Sequence, residues 1–347
     1  MIDTTVAAVW RGDGDIAIES VSVPPLAPGD VLVRVRLATV CGSDRHTVSG
    51  RREQPCPSIL GHETVGEIVA LGGGGASDVD GRPLRLGQRV IWSVTLPCGT
   101  CDRCRAGVTA KCRTVRKAGH EALQSDWGLS GGYAQHVLLP SGLAIAVVGD
   151  GVSDAIAAPA ACATATVMAV VERAGELAGR RVAVVGAGML GLCAVAAAAT
   201  AGAESVTAVD PSPERRQLAE QFGATTVASS TGDAGTVDVL LEFSGSSSAL
   251  QDGLGGLDVQ GIAVLAGAVA ADAAVTFDPE RVVRRQLSIF GVHNYEPRHL
   301  GAALAFLELT GARFPWTSLV ADPRPLDEIV DLLVNPPGSR PRYAVAP

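Results

Sequence analysis

The stretch RRVAVVGAGMLGLCAVAAAATAGAESVTAVD, Arg180 to Asp210, decides how this chain is read. An apolar run of strand length leads straight into glycines, then into an Ala-rich segment of helix length, then into a second apolar run ending at Asp210. Gly186, Gly188 and Gly191 fall in the spacing GxGxxG, between the strand and the helix. The first glycine permits the tight turn and the second lets backbone approach a pyrophosphate. The third allows close helix–strand packing, with the helix N-terminus facing the anion. The spacing alone is a weak signal, because glycine-rich turns occur in many loops. Asp210 strengthens it, lying 19 residues beyond Gly191 at the end of the next strand. A carboxylate there accepts hydrogen bonds from ribose hydroxyls and repels a 2′-phosphate. NAD is therefore expected over NADP, with Arg215 and Arg216 placed to soften the preference.

Working outward, VDVLLEFSG (237–245) and GIAVLAGAV (261–269) are further apolar runs of strand length separated by helix-length segments. Strands alternating with helices imply a parallel sheet. Before residue 153 the chain reads differently. DVLVRVRLATV (30–40) alternates Val31, Val33, Val35 and Leu37 on one face, and TVGEIVALG and QRVIWSVT are short strands between Gly and Pro punctuation. The four glycines at 72–75, followed by polar residues and no helix pattern, read as a surface loop. Beyond residue 292, LGAALAFLEL and PLDEIVDLLV read as helices. A chain of 347 residues fits two domains.

A net charge of −8, with Lys111 and Lys117 the only lysines, argues against nucleic acid as a partner. The apolar run around LCAVAAAATAGA is short of the roughly 20 residues that span a bilayer. The N-terminus lacks a basic region followed by an apolar core, so a cytoplasmic chain is expected. Eight cysteines in such a chain serve as ligands or nucleophiles.

Four of the eight lie in CGTCDRCRAGVTAKC, at Cys98, Cys101, Cys104 and Cys112. Two successive CxxC units fold around one ion and the fourth thiolate closes the tetrahedron, which leaves no position for substrate and makes the site structural. Disulfides would need an oxidising compartment and strained loops. A DNA-binding zinc ribbon is poorly served by the modest local charge. The other candidate ligands are scattered: Cys41 with Ser43, Asp44 and His46 in TVCGSDRH, His62 and Glu63 in LGHETVGE, and Cys162 in PAACATATV. Singly, each reads as a packed core residue. Cys56 and Cys193 remain, the latter on the apolar helix after the glycine turn.

Together and in this order, these elements resemble the zinc-containing alcohol dehydrogenases of the medium-chain dehydrogenase/reductase superfamily, over essentially the whole chain. The resemblance implies an α/β protein with a GroES-like β-rich catalytic domain at 1–152, a structural-zinc lobe at 98–112, a Rossmann domain at 153–292 and a C-terminal return to the catalytic domain at 293–347. It implies that Cys41, His62 and Cys162 bind a catalytic zinc with Glu63 close behind, two zinc ions per chain in all. Two thiolates and one imidazole are the ligand set of alcohol dehydrogenases, in which the fourth position stays open for substrate. An alcohol held there loses its proton near neutral pH and passes hydride to NAD. Ser43 is expected to take that proton and pass it through the cofactor ribose to His46, while Asp44 fixes the tautomer of His62. Val94 is expected as a pocket wall, and Thr166 near the nicotinamide. Gly291, Val292 and His293 are expected near the carboxamide, and Arg342 at the pyrophosphate. Gly42 stands where some relatives carry a phosphate-binding arginine.

FDPERVVRRQLSIFGVHNY together with AGHEAL resembles a subgroup associated with phosphonate metabolism. That makes a hydroxyalkyl phosphonate, held by Arg51 or Arg52, a candidate substrate beside polyols and cyclitols. The alternatives are an enone reductase of the same superfamily and a non-enzymatic zinc-ribbon protein. A homodimer or homotetramer is expected from the family.

Overall fold

Val31–Thr39 buries Val31, Val33, Val35 and Leu37 and turns Arg34 and Arg36 to solvent, as a pleated strand with one wet face requires. In the computed structural model, which describes residues 2–270, 273–338 and 340–347, this strand sits in the middle of a seven-stranded sheet. Its order is Ile145–Val147, Arg89–Trp92, Glu63–Leu71, Val31–Thr39, Arg342–Ala346 and Val320–Pro325, with His136–Leu139 also paired to Val31–Thr39. The register is what matters for the site. Thr39 faces Glu63 on one side and Ala344 on the other, so the ends of three neighbouring strands meet. Core side chains such as Val33, Ile68, Val90, Trp92 and Trp127 pack beneath them.

The chain divides into two units: Met1–Ala165 with Glu296–Gly311 and Trp316–Pro347, and Thr166–Tyr295 with Ala312–Pro315. The sequence places a boundary after residue 152, whereas the structure keeps residues 153–165 with the first unit. The reason is packing and charge. Helix Asp154–Pro159 lies on strands Val31–Thr39 and Glu63–Leu71. The carboxylate of Asp154 is held by Arg36 Nε at 2.7 Å and Arg89 at 2.8 Å. By length and composition the whole helix Asp154–Ala174 could cross a membrane, but Ala157, Ala158, Ala161 and Ala165 are buried within the protein.

The second unit holds a six-stranded parallel sheet ordered Thr226–Ala228, Ser205–Val209, Arg181–Val185, Val237–Glu242, Leu257–Leu265 and Ser288–Gly291. Numbered within the unit this is 3-2-1-4-5-6, the doubly wound arrangement that places a nucleotide outside the carboxyl ends of its strands. Phe222 stacks on Phe314, ring centroids 5.9 Å apart, which explains why 312–315 joins this unit.

Candidate active site and metal centres

Three strand ends deliver the scattered residues to one place. Cys41 follows Val31–Thr39 and caps the short helix Gly42–Val48, while His62 precedes Glu63–Leu71. Arg342 opens the C-terminal strand, and Cys162 comes from a widened π-turn, Ala160–Thr164. That turn begins directly after Pro159, whose missing N–H breaks the regular helical ladder. The ligand atoms of Cys41, His62, Glu63 and Cys162 all lie within 4.8 Å of one another. Cys41 and His62 are buried; Cys162 keeps partial exposure and marks the open side.

The donors fit a tetrahedral zinc of two thiolates and one imidazole. Glu63 is fully buried and its carboxylate is already occupied: Arg342 reaches it at 2.8 and 2.9 Å, and the Thr39 hydroxyl donates at 2.6 Å. That leaves the fourth position to an outside ligand. Arg342 Nη2 also lies 3.6 Å from the Cys41 sulfur. Contact with Cys162 favours the Cys41 thiolate against the cost of burial, and Arg342 adds to it, so Cys41 ionises first and Cys162 is raised in turn. Burial raises Glu63, with Arg342 opposing.

Asp44 Oδ1 stands 3.3 Å from His62 Nδ1, an ion-pair distance in a geometry too bent for a hydrogen bond. With Nδ1 facing a carboxylate, Nε2 is the nitrogen left for a metal, and Ser43 Oγ lies 3.4 Å from it. Burial works against charge on His62, yet Asp44 and Cys41 raise its proton affinity well above the ordinary range, so a metal must displace that proton.

The four lobe thiols also gather within 4.8 Å of one another. The Cys101 sulfur is 3.5 Å from that of Cys104 and 3.9 Å from that of Cys112. Backbone N–H groups of Cys98 and Thr114 donate to the Cys112 sulfur at 3.2 and 3.4 Å. Backbone donors at Thr100 and Cys101 pull the Cys98 thiol down to about 5, whereas burial pushes Cys104 up to about 12. Glu296 anchors the lobe by accepting Thr109 N–H at 3.0 Å, Ala110 N–H at 3.1 Å and the Thr109 hydroxyl. Four thiols together fit a closed zinc shell.

In the second unit Gly186 adopts φ +92° and Gly188 caps helix Met189–Thr200. A Cβ at Gly191 would run into the Gly186 carbonyl, so close strand–helix approach requires glycine there. Asp210, 3% exposed, accepts Ala187 N–H at 2.9 Å and Ser212 N–H at 2.9 Å, and Arg215 lies 3.6 Å from its carboxylate. The carboxylate thus braces the glycine turn itself.

The remaining expected residues are less concentrated. His46 sits half-buried one turn after Ser43, and Thr166 one turn after Cys162. Val94 is buried and its carbonyl accepts Ala118 N–H. Gly291 ends the edge strand of the second unit, and Val292 and His293 follow it. Arg342 joins the buried cluster: Nε and Nη2 meet Glu63 and the Cys41 sulfur, while Nη1 donates one N–H to the Pro341 carbonyl at 3.3 Å and keeps its second for another partner.

Two residues escaped the sequence reading. His120 tilts against His62 with ring centroids 5.4 Å apart. Its Nδ1 donates to the Ala118 carbonyl at 2.7 Å, and burial, with help from His62, holds it neutral down to about 3. Tyr133, in GGYAQHV, reaches Asp44 with its hydroxyl at 2.9 Å. Both lie in loops, so only the tertiary packing reveals either.

A doubly wound sheet with a braced glycine turn, a three-donor metal pocket and a closed four-thiol lobe define a zinc-dependent dehydrogenase. Residues 27–149 match the alcohol dehydrogenase GroES-like domain family and residues 190–308 the zinc-binding dehydrogenase family. The chain is 32% identical over 339 residues to 5-exo-hydroxycamphor dehydrogenase of Pseudomonas putida, covering 93% of this chain and 92% of that protein. An alcohol dehydrogenase structure from Thermotoga maritima superposes with a TM-score of 0.92 at 25% identity, covering 99% of each chain. Acetophenone reductase from Geotrichum candidum NBRC 4597, solved in complex with NAD, superposes with a TM-score of 0.81 at 28% identity, covering 100% of this chain and 98% of that one. The chain belongs to the zinc-dependent alcohol dehydrogenase family of the medium-chain dehydrogenase/reductase superfamily. It is an oxidoreductase acting on CH–OH groups, with zinc and a nicotinamide dinucleotide as cofactors.

Proposed function

We propose that the chain oxidises an alcohol bearing an anionic head group, a hydroxyalkyl phosphonate in the first instance, with Ser43 and His46 moving the hydroxyl proton. When bound, zinc lowers the pKa of an alcohol and NAD accepts hydride from its carbon, giving carbonyl, NADH and one proton. The observation that carries the assignment is the convergence of Cys41, His62 and Cys162, with Ser43 Oγ 3.4 Å from the metal-facing nitrogen of His62. That proximity supports Ser43 as the proton's first acceptor, and the shared short helix supports His46 as the next. Support for the anionic group comes from Arg52 and Lys117. Both are half-buried, neither has a carboxylate partner among the described residues, and burial and Arg52 together depress Lys117. Two cations left together in this way favour an anion from outside. NAD over NADP follows from Asp210, tempered by Arg215 at 3.6 Å. The edge strand Ser288–Gly291, with Ile289 exposed, supports pairing with a second copy in a homo-oligomer. Eight free thiols fit a cytoplasmic setting.

The test is NAD and NADP reduction over chain-matched aliphatic alcohols, polyols, cyclitols and hydroxyalkyl phosphonates. The phosphonates are expected to exceed neutral alcohols by about 10-fold or more in kcat/KM. Ser43→Ala is expected to lower kcat by about 10²-fold. Preference for polyols or cyclitols would overturn the anionic head group alone. Enone reduction with no CH–OH oxidation would overturn the reaction.

A further inference from the structure

We infer that Tyr133 is a positioning residue of the buried metal site, acting through Asp44 on two zinc ligands at once. Asp44, 3% exposed, is a junction. Its Oδ2 accepts the N–H of Cys41 at 3.0 Å and the hydroxyl of Tyr133 at 2.9 Å, and its Oδ1 faces His62 Nδ1 at 3.3 Å. One carboxylate therefore ties the backbone of one ligand to the ring of another. The contact to His62 is bent, so the carboxylate's own aim must come from its other partners. Cys41 N–H is one, and Tyr133 is the other.

The phenol has a single proton to give. The Thr39 carbonyl lies 3.4 Å away, but the shorter, charge-assisted bond to Asp44 takes the proton. The ring is itself immobilised. Tyr133 is 1% exposed, its N–H donates to the Leu60 carbonyl at 3.1 Å, and its carbonyl accepts Ala8 N–H at 2.8 Å. The ring lies against Gly61, where φ is +93° and a Cβ would come within 2.9 Å of it. Tyr133 thus holds the chain just before His62 through its backbone and ring, and the carboxylate facing His62 through its hydroxyl. Partners that fix a ligand's orientation from outside the coordination shell commonly change metal affinity by 10–100-fold.

The inference rests on the zinc reading of the site and not on the alcohol. The test uses the full-length, zinc-loaded protein and follows transfer of zinc to a chromophoric chelator. The lobe zinc serves as internal reference, and Cys162→Ala, which lacks the buried zinc, assigns the two phases. Tyr133→Phe removes one hydroxyl and keeps the ring. It is expected to weaken the buried zinc about 10-fold and to leave the lobe zinc unchanged. Asp44→Asn is expected to weaken the buried zinc further, and Tyr133→Phe added to it to change nothing more, because the hydroxyl acts through that carboxylate. Unchanged release from Tyr133→Phe overturns the inference. So does equal weakening of both zinc ions, which marks general loosening, or the same effect with and without Asp44. Should Asp44→Asn not fold, the two-phase comparison in Tyr133→Phe decides alone. A wild-type chain holding only one zinc would instead break the metal reading itself.

Discussion

The two cysteine clusters are built in opposite ways. The lobe takes four thiols from fifteen consecutive residues, with Cys98 exposed and its Arg113–Asp102 ion pair on the surface, side chains 57% and 63% exposed. The other cluster draws Cys41 and Cys162 across 121 positions. Its Arg342–Glu63 pair is 9% and 0% exposed. The lobe concentrates thiols and closes its coordination shell. The buried cluster has fewer donors, a carboxylate held back by an arginine, and one open position. Chemistry follows the open position and not the density of ligands.

Exchange of cysteines should break this comparison most strongly. Cys162→Ala is expected to lose one zinc and at least about 10³-fold in alcohol oxidation, because the Lewis acid goes with the ion. Cys104→Ser is expected to lose the other zinc and lower Tm by roughly 5–10 °C, with the turnover of the folded fraction largely kept. Metal analysis with assay of each variant checks both; a fully active Cys162→Ala would return the reaction to some other site.

The ion pairs sharpen the contrast at smaller amplitude. Arg342→Met strands a buried carboxylate and is expected to cost about 3–5 kcal/mol by denaturant titration. Adding Glu63→Gln is expected to recover part of that, since the uncompensated charge goes with it. Asp102→Asn, on the lobe surface, is expected to leave Tm unchanged, because exposed pairs contribute little against solvent screening. A loss from Asp102→Asn matching that of Arg342→Met would remove the distinction between the two regions.

Much of the molecule is legible in one dimension. The period-2 alternation of 30–40, the strand–glycine–helix run from Arg180 and the CxxCxxC spacing each encode a local shape, since every interaction they need lies within a few residues. The boundary near 153 is less legible. An Ala-rich segment carries no mark of which sheet it will cover, and Arg36 and Arg89, which hold Asp154, are distant in sequence. The pairing of Arg342 with Glu63 is hidden for the same reason: it depends on Ala344 facing Thr39 and Thr39 facing Glu63.

The sequence by itself determined the class of fold, the glycine turn with Asp210 at the end of the following strand, and the grouping of the four lobe thiols. These are short-range patterns, set by backbone geometry and donor count. Tertiary structure alone decided how the second centre is assembled. It set Asp44 between Cys41 and His62, Tyr133 behind Asp44, His120 beside the metal's histidine, and Arg342 on Glu63. Those contacts span up to 279 positions. Strand register fixes Arg342 on Glu63, whereas Asp44 stands on a short helix and His120 and Tyr133 in loops, so their contacts follow from how those segments pack against the sheet.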